Sequence, residues 1–194
     1  LAGGAAAVAA ARGQAVPPLQ ATYSAASPAA AIAAQVQLDP PADVRQIATM
    51  TLSYCAHRES NTRALVGDDY LVVDRVVDML ACSRAASKEN VPTLAAAAAA
   101  VMLLRALGKH PCALPAIIDT PGSVDALVSL LSFDHLVVAA GAADALSSCL
   151  TFVEARAFIV QSGAVKGLQG LKRRASANRQ QHAFETAELV LNML

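Results

Sequence analysis

Four cysteines and four histidines have the widest chemical repertoire in this chain, and their spacing limits what they can do. Cys55, Cys82, Cys112 and Cys149 are far apart, with no C-x-x-C and no histidine at zinc-finger distance from a cysteine pair. An even number permits two disulfides. Cys55 and Cys149, however, fall on apolar positions of helical patterns, so the expectation is small buried hydrophobes in a reducing compartment. His57, His110, His135 and His182 each lie near an expected helix terminus, where an imidazole meets the last carbonyls. His110 and Cys112 lack further metal ligands, and Asp68, Asp69, Asp74 and Asp78 lack the alternating oxygens and closing Glu of a calcium loop. No G-x-S-x-G elbow, Walker loop or G-x-G-x-x-G motif occurs. Gly163, Gly167 and Gly170 share one face of an expected helix, which suits close helix packing better than a phosphate cradle. The expectation is a protein that is not an enzyme and uses no cofactor or metal.

Charge offers a different chemistry. Lys166, Lys172, Arg173, Arg174 and Arg179 cluster near the C-terminus, where residues 151–194 hold six bases and three acids. Such a patch suits an acidic protein surface or RNA phosphates, although no aromatic residue interleaves it for base stacking. Arg173-Arg174-Ala175-Ser176 also fits a basophilic kinase pattern. Over the whole chain 15 basic residues balance 15 acidic ones, so no net field draws the protein to nucleic acid or an anionic membrane.

The 194 residues that must position these groups are rich in alanine, which accounts for 45 of them, with 4% aromatics and no Trp. Alanine inflates the mean hydropathy of +0.44. The longest uncharged apolar run, Leu94 to Leu104, is far short of the roughly 20 residues a membrane span needs. Membrane association is therefore expected only through partners. Residues 1–42 read as an extended arm, broken by Pro17-Pro18, Pro28 and Pro40-Pro41, with a short helix possible at Ala25–Ala34. The absence of acids from residues 1–38 suits a transit-peptide remnant or a low-complexity tail. Together with the cysteines, it points to an intracellular location, with a mitochondrial or plastid interior ahead of the cytoplasm and secretion excluded.

From Asp43 onward the periodicity is helical. Three segments superpose: Ala48–Leu52–Cys55, Ala100–Leu104–Leu107 and Ala142–Leu146–Cys149, each an i, i+4, i+7 stripe. Thirteen residues after the Leu, each copy places another aliphatic, at Leu65, Ile117 and Ile159. A turn follows each, at Gly67-Asp68-Asp69, Thr120-Pro121-Gly122 and Gln161-Ser162-Gly163, and then a new apolar helix. Ala187–Leu191–Leu194 fits the stripe a fourth time, with no obvious polar cap beyond it.

The segments Gly122 to Ser132, Val137 to Leu150 and Ala157 to Val165 carry a pattern that resembles the armadillo repeat, with HEAT repeats as its near neighbour. The resemblance spans 43–194 and is closest over 109–171. It implies an all-α, right-handed α-α superhelix with a leading third helix (43–56) and repeats at 57–108, 109–151 and 152–194. Such proteins bind extended peptides along a concave groove, using Asn two residues after the signature Leu and Trp two before it. Here the first column reads Tyr54, Ala106, Ser148 and Met193, and the second Met50, Met102, Asp144 and Leu189. The ladder is absent, so basic-peptide binding of that kind is not expected. The expected groove comprises Met50, Tyr54, Met102, Ser148 and Leu189, suited to an apolar helix or extended segment of another protein. The resemblance thus implies a non-catalytic scaffold or accessory subunit of a larger assembly, the alternative being an RNA-binding α-solenoid that uses the basic C-terminal repeat.

Overall fold

A computed structural model describes residues 42–67, 71–86 and 92–194. The described residues form helices and connecting turns with no strand, as the all-α expectation requires. In order they are α1 (Ala42–Cys55), α2 (Glu59–Leu65), α3 (Val72–Ala86), α4 (Leu94–Gly108), α5 (Leu114–Asp119), α6 (Ser123–Leu130), α7 (Leu136–Cys149), α8 (Val153–Gln161), α9 (Ala164–Ala177) and α10 (Gln181–Met193). The 3-10 turn Pro111–Ala113 leads into α5. The expected arm lies outside the described residues except for Ala42, the first residue of α1. Helix α3 continues through the polar residues Ser83 and Arg84 to Ala86.

The longest contacts follow a simple order. Helix α1 packs on α4, α4 on α7 and α7 on α10, while α3 packs on α6 and α6 on α9. Within this arrangement Leu52, Leu104 and Leu146 are all buried, and so are Leu65, Ile117 and Ile159. The stripe read from the sequence is therefore the inward face of α1, α4 and α7. Small residues set how closely these helices meet. Ala96, Ala97, Ala99, Ala100 and Ala106 of α4 and Ala139 to Ala143 of α7 are buried. A Cβ placed on Gly141 would overlap the Val101 Cγ1 methyl.

The corners need glycine for a different reason. Gly122 (φ 79°) and Gly163 (φ 86°) hold the left-handed backbone that caps the starts of α6 and α9, a conformation costly for any residue with a Cβ. Hydroxyls tie off the α1–α2 turn and the Gly122 corner itself. Thr62 donates to the Ala56 carbonyl at 2.8 Å, and Ser123 donates to the Ile117 carbonyl, both in fully buried surroundings. Each satisfies a helix-end carbonyl that has no intrahelical partner.

Two expectations need correction. The three glycines at the start of α9 do not act together: Gly163 forms the corner, Gly167 lies against Leu131, and Gly170 has no atom within 4 Å of a would-be Cβ. The last helix also has a polar outward face. The positions of Thr49, Val101 and Ala143, all buried, and of half-buried Gln46 and Ala98 and buried Ala140, are taken in α10 by exposed Glu188 and Glu185. Among the described residues no single helix is long and apolar enough to cross a membrane. The α4–α5 pair meets the criterion jointly but bends by 117°.

Glycine-to-alanine changes separate these roles. At Gly141 the new methyl meets Val101, and at Gly167 it meets Leu131 Cδ1 at 2.9 Å, so each is expected to lose about 1–3 kcal/mol to overpacking. Gly170→Ala enters open space within a helix and is expected to gain about 0.5–1 kcal/mol. Urea unfolding monitored by circular dichroism gives all three values.

Candidate functional site

The five expected groove residues lie on the row of helices α1, α4, α7 and α10, but they do not share one environment. Met50 (39% exposed) and Leu189 (58% exposed) are open to solvent, and Met102 is half-buried between them in the row. Ser148 sits at the joint between two helices, with its Cβ 3.2 Å from where a Gly108 methyl would be. Tyr54 occupies the position equivalent to Ser148 and to buried Ala106. It is exposed one turn beyond Met50, at the edge between the Met50 position and the stacking face of α1.

The fourth residue in the Met50–Met102–Leu189 position is Asp144, and it is paired. Arg105 reaches from α4 to bring a guanidinium nitrogen 2.9 Å from Asp144 Oδ2. No N–H of Arg105 aligns on that oxygen, so the attraction is a Coulombic contact rather than a directed hydrogen bond. Arg105 and Asp144 are the lone charged residues of α4 and α7. That opposite-sign pair on two alanine-rich helices is the sequence signal for their contact, and it is invisible to a search for apolar spacing. The row therefore presents apolar side chains at both ends and an ion pair in the middle.

The five basic residues divide in two. Arg174, in the last turn of α9, donates to the Phe133 carbonyl at 2.6 Å and to the Leu131 carbonyl, closing the turn after α6. Lys172 bonds Glu188 at 2.8 Å and lies 4.9 Å above the Phe184 ring centre. Lys166, Arg173 and Arg179 are exposed, with Arg173 turned back on the Gln169 carbonyl at 3.3 Å. An open hollow of about 490 Å³ lies among Gln169, Lys172, Arg173, Ser176 and Phe184. Nothing in the sequence pattern distinguishes Arg174, a long-range clamp, from its neighbour Arg173. A second arginine missed by pattern alone, Arg156 of α8, donates to the Leu194 carbonyl at 2.9 Å and to the Met193 carbonyl.

The cysteines are free thiols in mixed settings: Cys149 is buried, Cys55 and Cys112 are half-buried, and Cys82 is exposed, contrary to its expected burial. Burial pushes the Cys149 thiol up to about 12. His135 stands at the start of α7 and His110 at the start of the 3-10 turn, with the His110 Nε2 buried and lacking a hydrogen-bond partner. Among the described residues, no three His, Cys, Asp or Glu side chains come together as a metal site. No family model, curated protein or solved structure matches this chain.

Two measurements follow from these placements. Arg174→Ala is expected to cost about 1.5–3 kcal/mol, since it removes charge-assisted bonds to part-buried carbonyls, whereas Arg173→Ala stays within about 0.5 kcal/mol of the parent. Denaturant titration of the pair decides this. In the folded chain at pH 8, a thiol reagent is expected to modify Cys82 and leave Cys149 untouched until denaturant is added, as read by peptide mass. Because the folded Cys149 holds its proton above the ordinary value of 9.0, its contribution to stability is lost as pH rises from 9.0 toward about 12.

Proposed function

We propose that this chain is an armadillo-type α-solenoid: a leading third helix, α1, followed by three three-helix repeats ending in α4, α7 and α10. We further propose that it serves as a non-catalytic scaffold or accessory subunit whose concave row receives an apolar helix or extended segment of another protein. The observation that carries the reading is the ordered stacking of α1 on α4, α4 on α7 and α7 on α10, with a second ordered row of α3, α6 and α9. A repeat of this kind cannot bury its own apolar stripe, so its stability comes from its neighbours, and the stacked row leaves an extended surface for a ligand.

The chemistry of that surface defines the partner. Met50, Met102 and Leu189 offer adaptable apolar contacts, and Arg105 with Asp144 offers a polar group at mid-row. A segment with apolar residues at its two ends and a hydrogen-bonding residue between them matches this order. RNA binding would draw only on Lys166, Arg173 and Arg179, since Lys172 and Arg174 are engaged within the fold. The charged residues left free in this way favour a protein partner over RNA.

Isolated gently from its source, the protein is expected to elute with other proteins and to cross-link to them through α4, α7 and α10. Elution as a free monomer overturns the proposal. Leu189→Asp, at a position 58% exposed, is expected to leave unfolding within about 0.5 kcal/mol of the parent. It should weaken the association roughly tenfold or more, the worth of one buried leucine at an interface. Calorimetry on the reconstituted pair separates the two effects.

A further inference from the structure

Helix α1 carries an apolar face with no partner among the described residues. In α7 the residues lying against α4 include Gly141, beside Val101, and Ser148, beside Gly108. The equivalent residues of α1, counted from the signature leucines, are Ile47 and Tyr54, which are 64% and 65% exposed. One helical turn earlier, Val44 is 49% exposed, while its counterparts Ala96, Val138 and Ala183 are at most 4% exposed. Thr51, on the same face, is exposed where Leu103, Ala145 and Val190 are buried. Thus Val44, Ile47, Thr51 and Tyr54, at i, i+3, i+7 and i+10, form the surface that in every later long helix is covered by the helix before it.

We propose that residues 28–38 of this same chain cover that face as a short helix folded back on α1. Three features of the sequence carry the assignment. The 41 residues before α1 end directly at its first residue, so the segment reaches the face through Asp39-Pro40-Pro41, a linker length usual between antiparallel helices. Ser27-Pro28 is a cap followed by proline at the first helical position, and Pro40 stops the helix at the other end. Between them Ala29, Ile32, Ala33 and Val36 fall at i, i+3, i+4 and i+7, with no charged residue from Arg12 to Asp39.

Side-chain size fits as well. Where α4 meets α7, a large residue, Val101, sits against a small one, Gly141. On α1 the large residues are Ile47 and Tyr54, and an alanine-rich helix supplies the small ones. The inference needs only the equivalence of the four long helices and is independent of what the concave row binds.

The test uses the full chain. With Ile32→Asp and Val36→Asp together, amide exchange over Val44–Tyr54 is expected to accelerate at least tenfold, with exchange in α10 unchanged. Equal exchange over Val44–Tyr54 in parent and variant overturns the proposal. A second measurement does not depend on that variant folding. In a Cys55→Ser background, Ala33→Cys with Ile47→Cys is expected to give, on diamide oxidation, a disulfide within one chain joining tryptic peptides 13–45 and 46–58. A disulfide between two chains, in a dimer that Ile47→Asp dissociates, assigns the face to a second copy and also overturns the proposal.

Discussion

Two helix axes can approach only as closely as the side chains between them permit, and in this chain that distance is set by alanine and glycine. The row α1, α4, α7 and α10 is built around it. Buried Ala96, Ala99 and Ala106 on α4 and Gly141 and Ala145 on α7 put a small residue on one side of each joint, as where Gly141 receives Val101. Close approach adds many weak dispersion contacts to those of fully buried leucines and isoleucines such as Leu52, Leu104, Ile117 and Leu146, so the interior fills although the chain has no Trp and 4% aromatics. It also leaves no slack: Gly141 has no room for a methyl group.

Helices joined by such smooth surfaces could slide, and polar ties oppose this at each level. Arg105 meets Asp144 between α4 and α7, and Arg84 donates to Ser129 Oγ at 2.9 Å between α3 and α6. Arg174 spans from α9 to the turn after α6, and Arg156 holds the end of α10. In each case an arginine reaches from one helix to a group far along the chain. A planar guanidinium with several donors suits that task, because it can satisfy two carbonyls at once and so fix direction as well as distance.

The helices were legible in the sequence because the inward stripes repeat. Leu52, Leu104 and Leu146 announce α1, α4 and α7, and the glycines at 122 and 163 announce the corners that their positive φ confirms. What the pattern could not supply were the facts that depend on a neighbour's position. Arg173 and Arg174 are adjacent and identical in type, yet only one faces the turn after α6. Gly167 and Gly170 share a helix face, but Leu131 crowds only the first. Cys82 follows an apolar stretch and is exposed, because it falls on the outer side of α3. The groove candidates differ in the same way: Met50 and Leu189 are exposed, whereas Met102 and Ser148 are half-buried against neighbouring helices. For Arg105 and Asp144 the signal was present, since a single charge on an otherwise apolar helix needs a partner.

The two ends of the row differ in kind. Among the described residues, α1 presents Val44, Ile47 and Tyr54 on its outer side, and α10 presents Glu185 and Glu188. If two copies met end to end, carboxylates would be pressed against isoleucine and tyrosine and stripped of water with no cation to replace it, a steep desolvation penalty. Glu185 and Glu188 therefore disfavour the burial of this face of α10 against any apolar helix surface that lacks a cation.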